Sequence, residues 1–92
     1  MKHSVYFDGK VQSLSLDTNE GPATVGVMKT GKYTFSTSSE EHMTVIEGIL
    51  NAKLPGETEF RAYSKGETFI VAPGKSFDVE AAGDVAYICF YR

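Results

Sequence analysis

The chain has 92 residues, far fewer than the ~250 at which single cores give way to several, so one domain over 1–92 is expected. Its net charge is −3 and its nine Lys and Arg are scattered singly, which argues against a nucleic-acid polymer as partner, and no apolar run approaches the ~20 residues of a membrane span. The single cysteine, Cys89, excludes an internal disulfide and a paired-Cys metal site. With no signal-like apolar run at the N-terminus, a cytoplasmic location is expected.

Hydrophobic residues make up 41% of the chain and aromatics 12%. That is enough for a core only if nearly every strand contributes a face. In chain order, alternating runs rich in Val, Ile, Thr, Tyr and Phe occur at 24–28, 33–37, 43–46, 49–54, 68–71 and 85–91, the composition of pleated strands. Pro55-Gly56 and Pro73-Gly74 read as turns. Residues 38–42 have room for one helical turn, but no segment keeps a helical period. Eight or nine short strands joined by turns predict an all-β barrel or sandwich. A chain this small gains burial and covers sheet edges by pairing, so a homodimer is expected.

Two stretches carry more. Glu41 is followed by six residues and Gly48, and residues 66–74 form a strand signal between glycines that runs into Pro73. Together they resemble the paired motifs of the cupins, which are small double-stranded β-helices of jelly-roll type. In that pattern the first two histidine slots fall on Phe35 and Thr37, and the third falls near Phe77 or Asp78. Phenylalanine cannot ligate a metal, and Thr37, Glu41 and Asp78 would make a poor oxygen set for a transition metal, so no metal is expected. Across the chain, residues 6–11, 24–28, 31–37, 41–45, 54–56, 66–69, 76–78 and 87–91 recur in the order and spacing of a narrower family. The chain resembles the small cupin-fold pyrimidine/purine nucleoside phosphorylases. It departs from them at His42, where Arg is usual, at Phe60, where Trp is usual, and in lacking a proline immediately before Pro73.

The resemblance implies phosphate-dependent cleavage of purine and pyrimidine nucleosides to a free base and a pentose 1-phosphate, with nucleoside and inorganic phosphate as partners and no cofactor. Tolerance of both base types is easier to reconcile with stacking than with hydrogen bonds to base edges, because every base has a π-face. Tyr33, Phe35, Phe77, Tyr87 and Tyr91 are the aromatic candidates for substrate contact, with Ser36 and Asp78 beside them for polar contact. By alternation Tyr33, Phe35 and Thr37 share one face, as do Tyr87, Cys89 and Tyr91. The resemblance makes Glu41 the catalytic carboxyl, as general acid/base or acceptor for a ribose hydroxyl. Thr37, in a hydroxyl-rich run, is the second catalytic candidate. Thr37, His42 and Arg61 are the phosphate candidates. Cys89 reads as a packed thiol. A binding module that recognises a nucleoside, sugar or phosphometabolite without turning it over is the alternative from a different class.

Overall fold

The computed structural model describes residues 1–92. Ten strands follow in order: β1 (His3–Tyr6), β2 (Val11–Thr18), β3 (Gly21–Met28), β4 (Gly31–Ser36), β5 (Glu41–Glu47), β6 (Leu50–Lys53), β7 (Arg61–Tyr63), β8 (Thr68–Val71), β9 (Ser76–Ala81) and β10 (Val85–Tyr91). They form a six-stranded sheet, β1-β2-β3-β10-β5-β8, and a four-stranded sheet, β4-β9-β6-β7. Every pairing is antiparallel. This is the all-β, two-sheet barrel expected. No helical turn forms at 38–42, because Glu41 already pairs with Val71 and Tyr91 as the first residue of β5.

The core lies between the sheets and follows the two-residue period. On the four-stranded sheet, Tyr33, Leu50, Ala52, Tyr63, Phe77, Val79 and Ala81 face in and are buried. Their outward neighbours are Lys32, Thr34, Lys53, Asp78 and Glu80, tied in pairs: Lys32–Glu80 at 3.6 Å, Lys53–Asp78 at 3.8 Å and Thr34–Asp78 at 2.7 Å. The six-stranded sheet buries Val11, Met28, Met43, Val45, Phe69, Val71 and Val85.

Along β2 and β3 the usual amphipathic order is reversed. Ser13, Ser15, Thr24 and Gly26 share the inner face with Tyr87 and Cys89, and Leu14, Leu16, Val25 and Val27 face outward, each at least 40% exposed. Between β1 and β2, Phe7–Gly9 makes a single 3₁₀ turn in which Phe7 (φ 51°) and Asp8 (φ 57°) both adopt the left-handed region. For a phenylalanine that conformation costs about 1–2 kcal/mol. It is held by ring contacts: Phe7 lies 4.9 Å from Tyr33 and 5.5 Å from Phe35, centroid to centroid. This strap ties the edge of one sheet to β4 of the other.

At the end of β5, Gly48 (φ 91°) turns the chain where a methyl group would stand 2.5 Å from the Asp84 carbonyl oxygen. The glycine six residues after Glu41's strand neighbour His42 is therefore required by both backbone angle and space.

Candidate active site

Antiparallel register assembles the site. On β10, Tyr87, Cys89 and Tyr91 face inward, and on β5 their partners are Val45, Met43 and Glu41. Across β3, Tyr87 stands opposite Gly26. A methyl at Gly26 would approach the Tyr87 ring and hydroxyl to 2.5 Å, so the missing side chain is what lets the ring cross β3 towards Ser13. The resulting cavity, about 170 Å³, is lined by Tyr6, Ser13, Phe35, Ser36, Glu41, Met43, Tyr87, Cys89 and Tyr91. Four of its nine lining residues are aromatic, and its polar groups are hydroxyls, a thiol and one carboxyl.

That carboxyl is in a demanding environment. Glu41 is half-buried, and burial raises its pKa above the ordinary value, partly offset by a hydrogen bond from Cys89. The Cys89 Sγ donates to Glu41 Oε1 at 3.5 Å. The thiol itself is pushed up to about 12 by burial and by the neighbouring carboxylate, so it stays protonated and is no nucleophile. Burial also pushes the Tyr87 phenol up to about 12. Tyr91 is raised as well, chiefly by burial, against the opposing effect of its 2.9 Å hydrogen bond with Thr24. Cys89, Tyr87 and Tyr91 are therefore protonated hydrogen-bond donors at neutral pH, and Glu41 is the one carboxyl among them.

Of the residues singled out from sequence, Phe35, Ser36, Glu41, Tyr87 and Tyr91 converge on this cavity. The others do not. Thr37 lies just beyond β4, and its hydroxyl donates to the Ala72 carbonyl at 2.7 Å and accepts from the Lys75 amide at 3.0 Å. It latches the 72–75 turn and has no free donor for phosphate. Tyr33 is buried beneath Phe7 and donates its hydroxyl to the Lys29 carbonyl at 2.7 Å. Phe77 packs 5.8 Å from both Phe35 and Phe69, behind the cavity wall. Asp78, one residue later, points to the outer face, where it meets Thr34 and Lys53.

His42 follows Glu41 in the strand and so faces the opposite way, paired with Glu40 at 2.7 Å. Arg61 is exposed on β7 with its guanidinium over the Tyr63 ring at 5.2 Å. The cationic phosphate candidates are thus displaced by strand alternation and by sheet position, and no Lys, Arg or His lines the cavity. Phe35 fills the first cupin histidine slot with a ring, Thr37 spends its hydroxyl on backbone, and Asp78 faces away. This donor set does not fit a transition metal.

Sequence reasoning missed Tyr6, Ser13 and Met43. The inverted alternation of β2 was the available signal for Ser13. Tyr6 is the last residue of β1, paired with Val11 just before the strap, whose left-handed turn has no strong sequence mark beyond Asp8-Gly9.

The family model for pyrimidine/purine nucleoside phosphorylase matches residues 1–91. A pyrimidine/purine nucleoside phosphorylase of Pseudomonas aeruginosa (strain LESB58) is 46% identical over 91 residues, covering 99% of this chain and 98% of that one. One from Rhodopirellula baltica is also 46% identical over 91 residues, with 99% of each chain covered. Among solved structures, a Vibrio parahaemolyticus protein described as of unknown function superposes with a TM-score of 0.94 at 41% identity, covering 99% of this chain and 97% of its own. The cupin domain of an Enterobacter cloacae transcriptional regulator, at 16% identity and a TM-score of 0.69, covers 90% of this chain and 98% of its own, and shares the fold. The two sheets with their inward Glu41 are a cupin barrel, and the chain belongs to the pyrimidine/purine nucleoside phosphorylase family.

Proposed function

We propose that the Glu41 cavity is where this chain cleaves purine and pyrimidine nucleosides with inorganic phosphate. A phosphate oxygen bonds to C1′ of the pentose as the C1′–N bond breaks. The base departs with the bonding pair and takes up one proton, leaving free base and pentose 1-phosphate. The observation that carries the reading is a lone half-buried carboxyl, raised in pKa, facing an aromatic wall with hydroxyl tips.

The ring of Phe35 and the phenols of Tyr6, Tyr87 and Tyr91 offer π-faces that hold any base. Hydroxyls of Ser13, Ser36 and the tyrosines are donors for ribose and phosphate. With no cation in the lining, a phosphate entering beside Glu41 favours the protonated carboxyl, because two anions at short range disfavour each other. Glu41 then holds the proton that the departing base takes, and recovers one from hydrogenphosphate. Positioned proton transfer of this kind typically contributes 10²–10⁴-fold.

The cavity is smaller than the roughly 300 Å³ at which ligand pockets begin. In this reading Tyr6, the lining residue that leads into the strained strap at Phe7–Gly9, is the wall that shifts to admit substrate. No helix is long and apolar enough to cross a membrane. The free, protonated thiol of Cys89 and the metabolite substrates fit a cytoplasmic enzyme. A homodimer is part of the same reading.

The test is chromatography of free base after incubation with uridine or adenosine, with and without phosphate. Base from both substrates, only with phosphate, is the expected result. Base released equally without phosphate would make the chain a hydrolase. No base above a no-enzyme control would leave a nucleoside-binding module.

A further inference from the structure

Thr24 does not line the cavity, yet it bonds to a residue that does. It lies on the inner face of β3, directly opposite Cys89 of β10, and β10 in turn places Tyr91 opposite Glu41 of β5. Thr24 is half-buried, and its hydroxyl has one partner, the Tyr91 hydroxyl at 2.9 Å. The hydroxyl of its β2 neighbour Ser15 is engaged elsewhere, accepting from the Lys2 amide at 2.7 Å.

Glu41 sets the direction of the bonds around it. A carboxylate only accepts, so the Cys89 thiol, 3.5 Å from Oε1, gives its proton to Glu41. The sulfur is then left as a weak acceptor, with the Tyr91 phenol beside it. Burial dominates the pKa values of both groups. Beyond burial, the phenol lowers Cys89 and the thiol raises Tyr91, as expected of a phenol that donates to sulfur. Thr24 lowers Tyr91, as a donor to the phenol oxygen does. Three protons and four groups therefore fall into one order, with each link pointing towards the carboxylate.

We infer that Thr24 is a positioning residue for Glu41, the first donor of a hydrogen-bonded chain that crosses three strands from Thr24 through Tyr91 and Cys89 to the carboxyl. The inference rests on the reading of Glu41 as the proton donor of the reaction and adds a residue outside the cavity to it. The chain engages Oε1 and leaves Oε2 without a partner in the protein, free for the departing base. It also fixes the phenol, so that Tyr91 presents its ring to the cavity in one orientation. The titratable groups facing Glu41 are Cys89, Tyr87 and Tyr91 from β10 and Tyr6 from β1, and β2, β4 and β8 bring no ionisable side chain to it. No cation competes with the chain for the carboxylate.

Carbon-13 NMR of the glutamate carboxyls tests it without reference to turnover, the Glu41 signal being assigned by its loss in Glu41→Gln. Thr24→Val has nearly the same shape but cannot donate. Each bond in such a chain strengthens the next by roughly 10–30%, so the variant is expected to raise the Glu41 midpoint by roughly 0.3 pH unit. Thr24→Ser keeps the hydroxyl and returns the midpoint to the wild-type value, which a packing role for the Thr24 methyl would not do. In a Tyr91→Phe background Thr24→Val has no further effect, because the link it acts through is already gone. Thr24→Ala gives the same reading should Thr24→Val fail to fold. An unshifted midpoint in the folded variants, or equal shifts with and without the Tyr91 hydroxyl, would overturn the inference. The bend in kcat/KM follows the same shifts. Midpoints that move as expected in a chain that releases no base would keep the Thr24 chain and sink the phosphorylase reading instead.

Discussion

The two sheets of this barrel are built on different rules. The four-stranded sheet is a conventional amphipathic layer: Leu50, Ala52, Val79 and Ala81 inside with at most 3% exposure, and Lys32, Lys53, Asp78 and Glu80 outside in ion pairs. The six-stranded sheet carries a carboxyl, a thiol and phenols on part of its inner face, and Leu, Val and Ile on its outer face. One sheet is arranged for stability. The other departs from that arrangement on both faces, and the inner departure is the one the proposed activity uses.

Substitutions that act on only one of these properties sharpen the contrast. Leu50→Ala, at a fully buried position on the small sheet, is expected to cost about 2–5 kcal/mol in denaturant unfolding. Phosphorolysis per folded molecule should be unchanged, and a large drop in that specific activity would erase the division between the sheets. Glu41→Gln on the large sheet is the converse. Base release is expected to fall about 100-fold or more, with chromatography as the readout, while thermal stability at neutral pH rises slightly. The sign follows from the raised pKa: the folded chain binds this proton more tightly than the unfolded chain, so ionised Glu41 disfavours folding above its folded pKa. A destabilised Glu41→Gln would contradict that reading.

The same group sets one limb of the pH profile: Glu41 works as a proton donor, so kcat/KM falls as pH rises through its pKa. Wild-type kcat/KM should bend at a pH above the ordinary glutamate value. Cys89→Ala removes the donor that lowers the Glu41 pKa and should move that bend further up, whereas Cys89→Ser should hold it in place. Tyr91→Phe, which deletes the hydroxyl bonded to Thr24, is expected to lower kcat/KM by about tenfold, in line with one hydrogen bond. Last in size, Lys32→Ala breaks only an exposed pair with Glu80 on the small sheet. Both stability and turnover should stay within about 0.5 kcal/mol of wild type.

Much of this barrel was legible from periodicity. Alternation along 85–91 places Tyr87, Cys89 and Tyr91 on one shared face, and the Glu41-to-Gly48 spacing locates β5 and its turn. What sequence could not show was partnership. Thr37 has the residue type for phosphate, but its hydroxyl is taken by backbone groups at 72 and 75 that only the folded turn supplies. Phe77 and Asp78 illustrate the cost of a one-residue ambiguity in a strand: only one of two neighbours points inward, and here it is the ring. His42 lies outside the cavity for the same reason, as the strand neighbour of an inward Glu41. β2 went unrecognised because a strand search looks for apolar residues towards the core, and its Ser13 and Ser15 occupy that face instead.

Tyr6 and Tyr91, near the two ends of the chain, both line the cavity. Tyr6 ends β1 and Phe7 follows it, the Lys2 amide donates to Ser15 Oγ at 2.7 Å, and Arg92 after Tyr91 donates its amide to the Glu40 carbonyl at 2.8 Å. An affinity tag fused at either terminus therefore hangs beside the aromatic wall or beside the carboxyl. Cleaved protein is accordingly the reference for comparing variants.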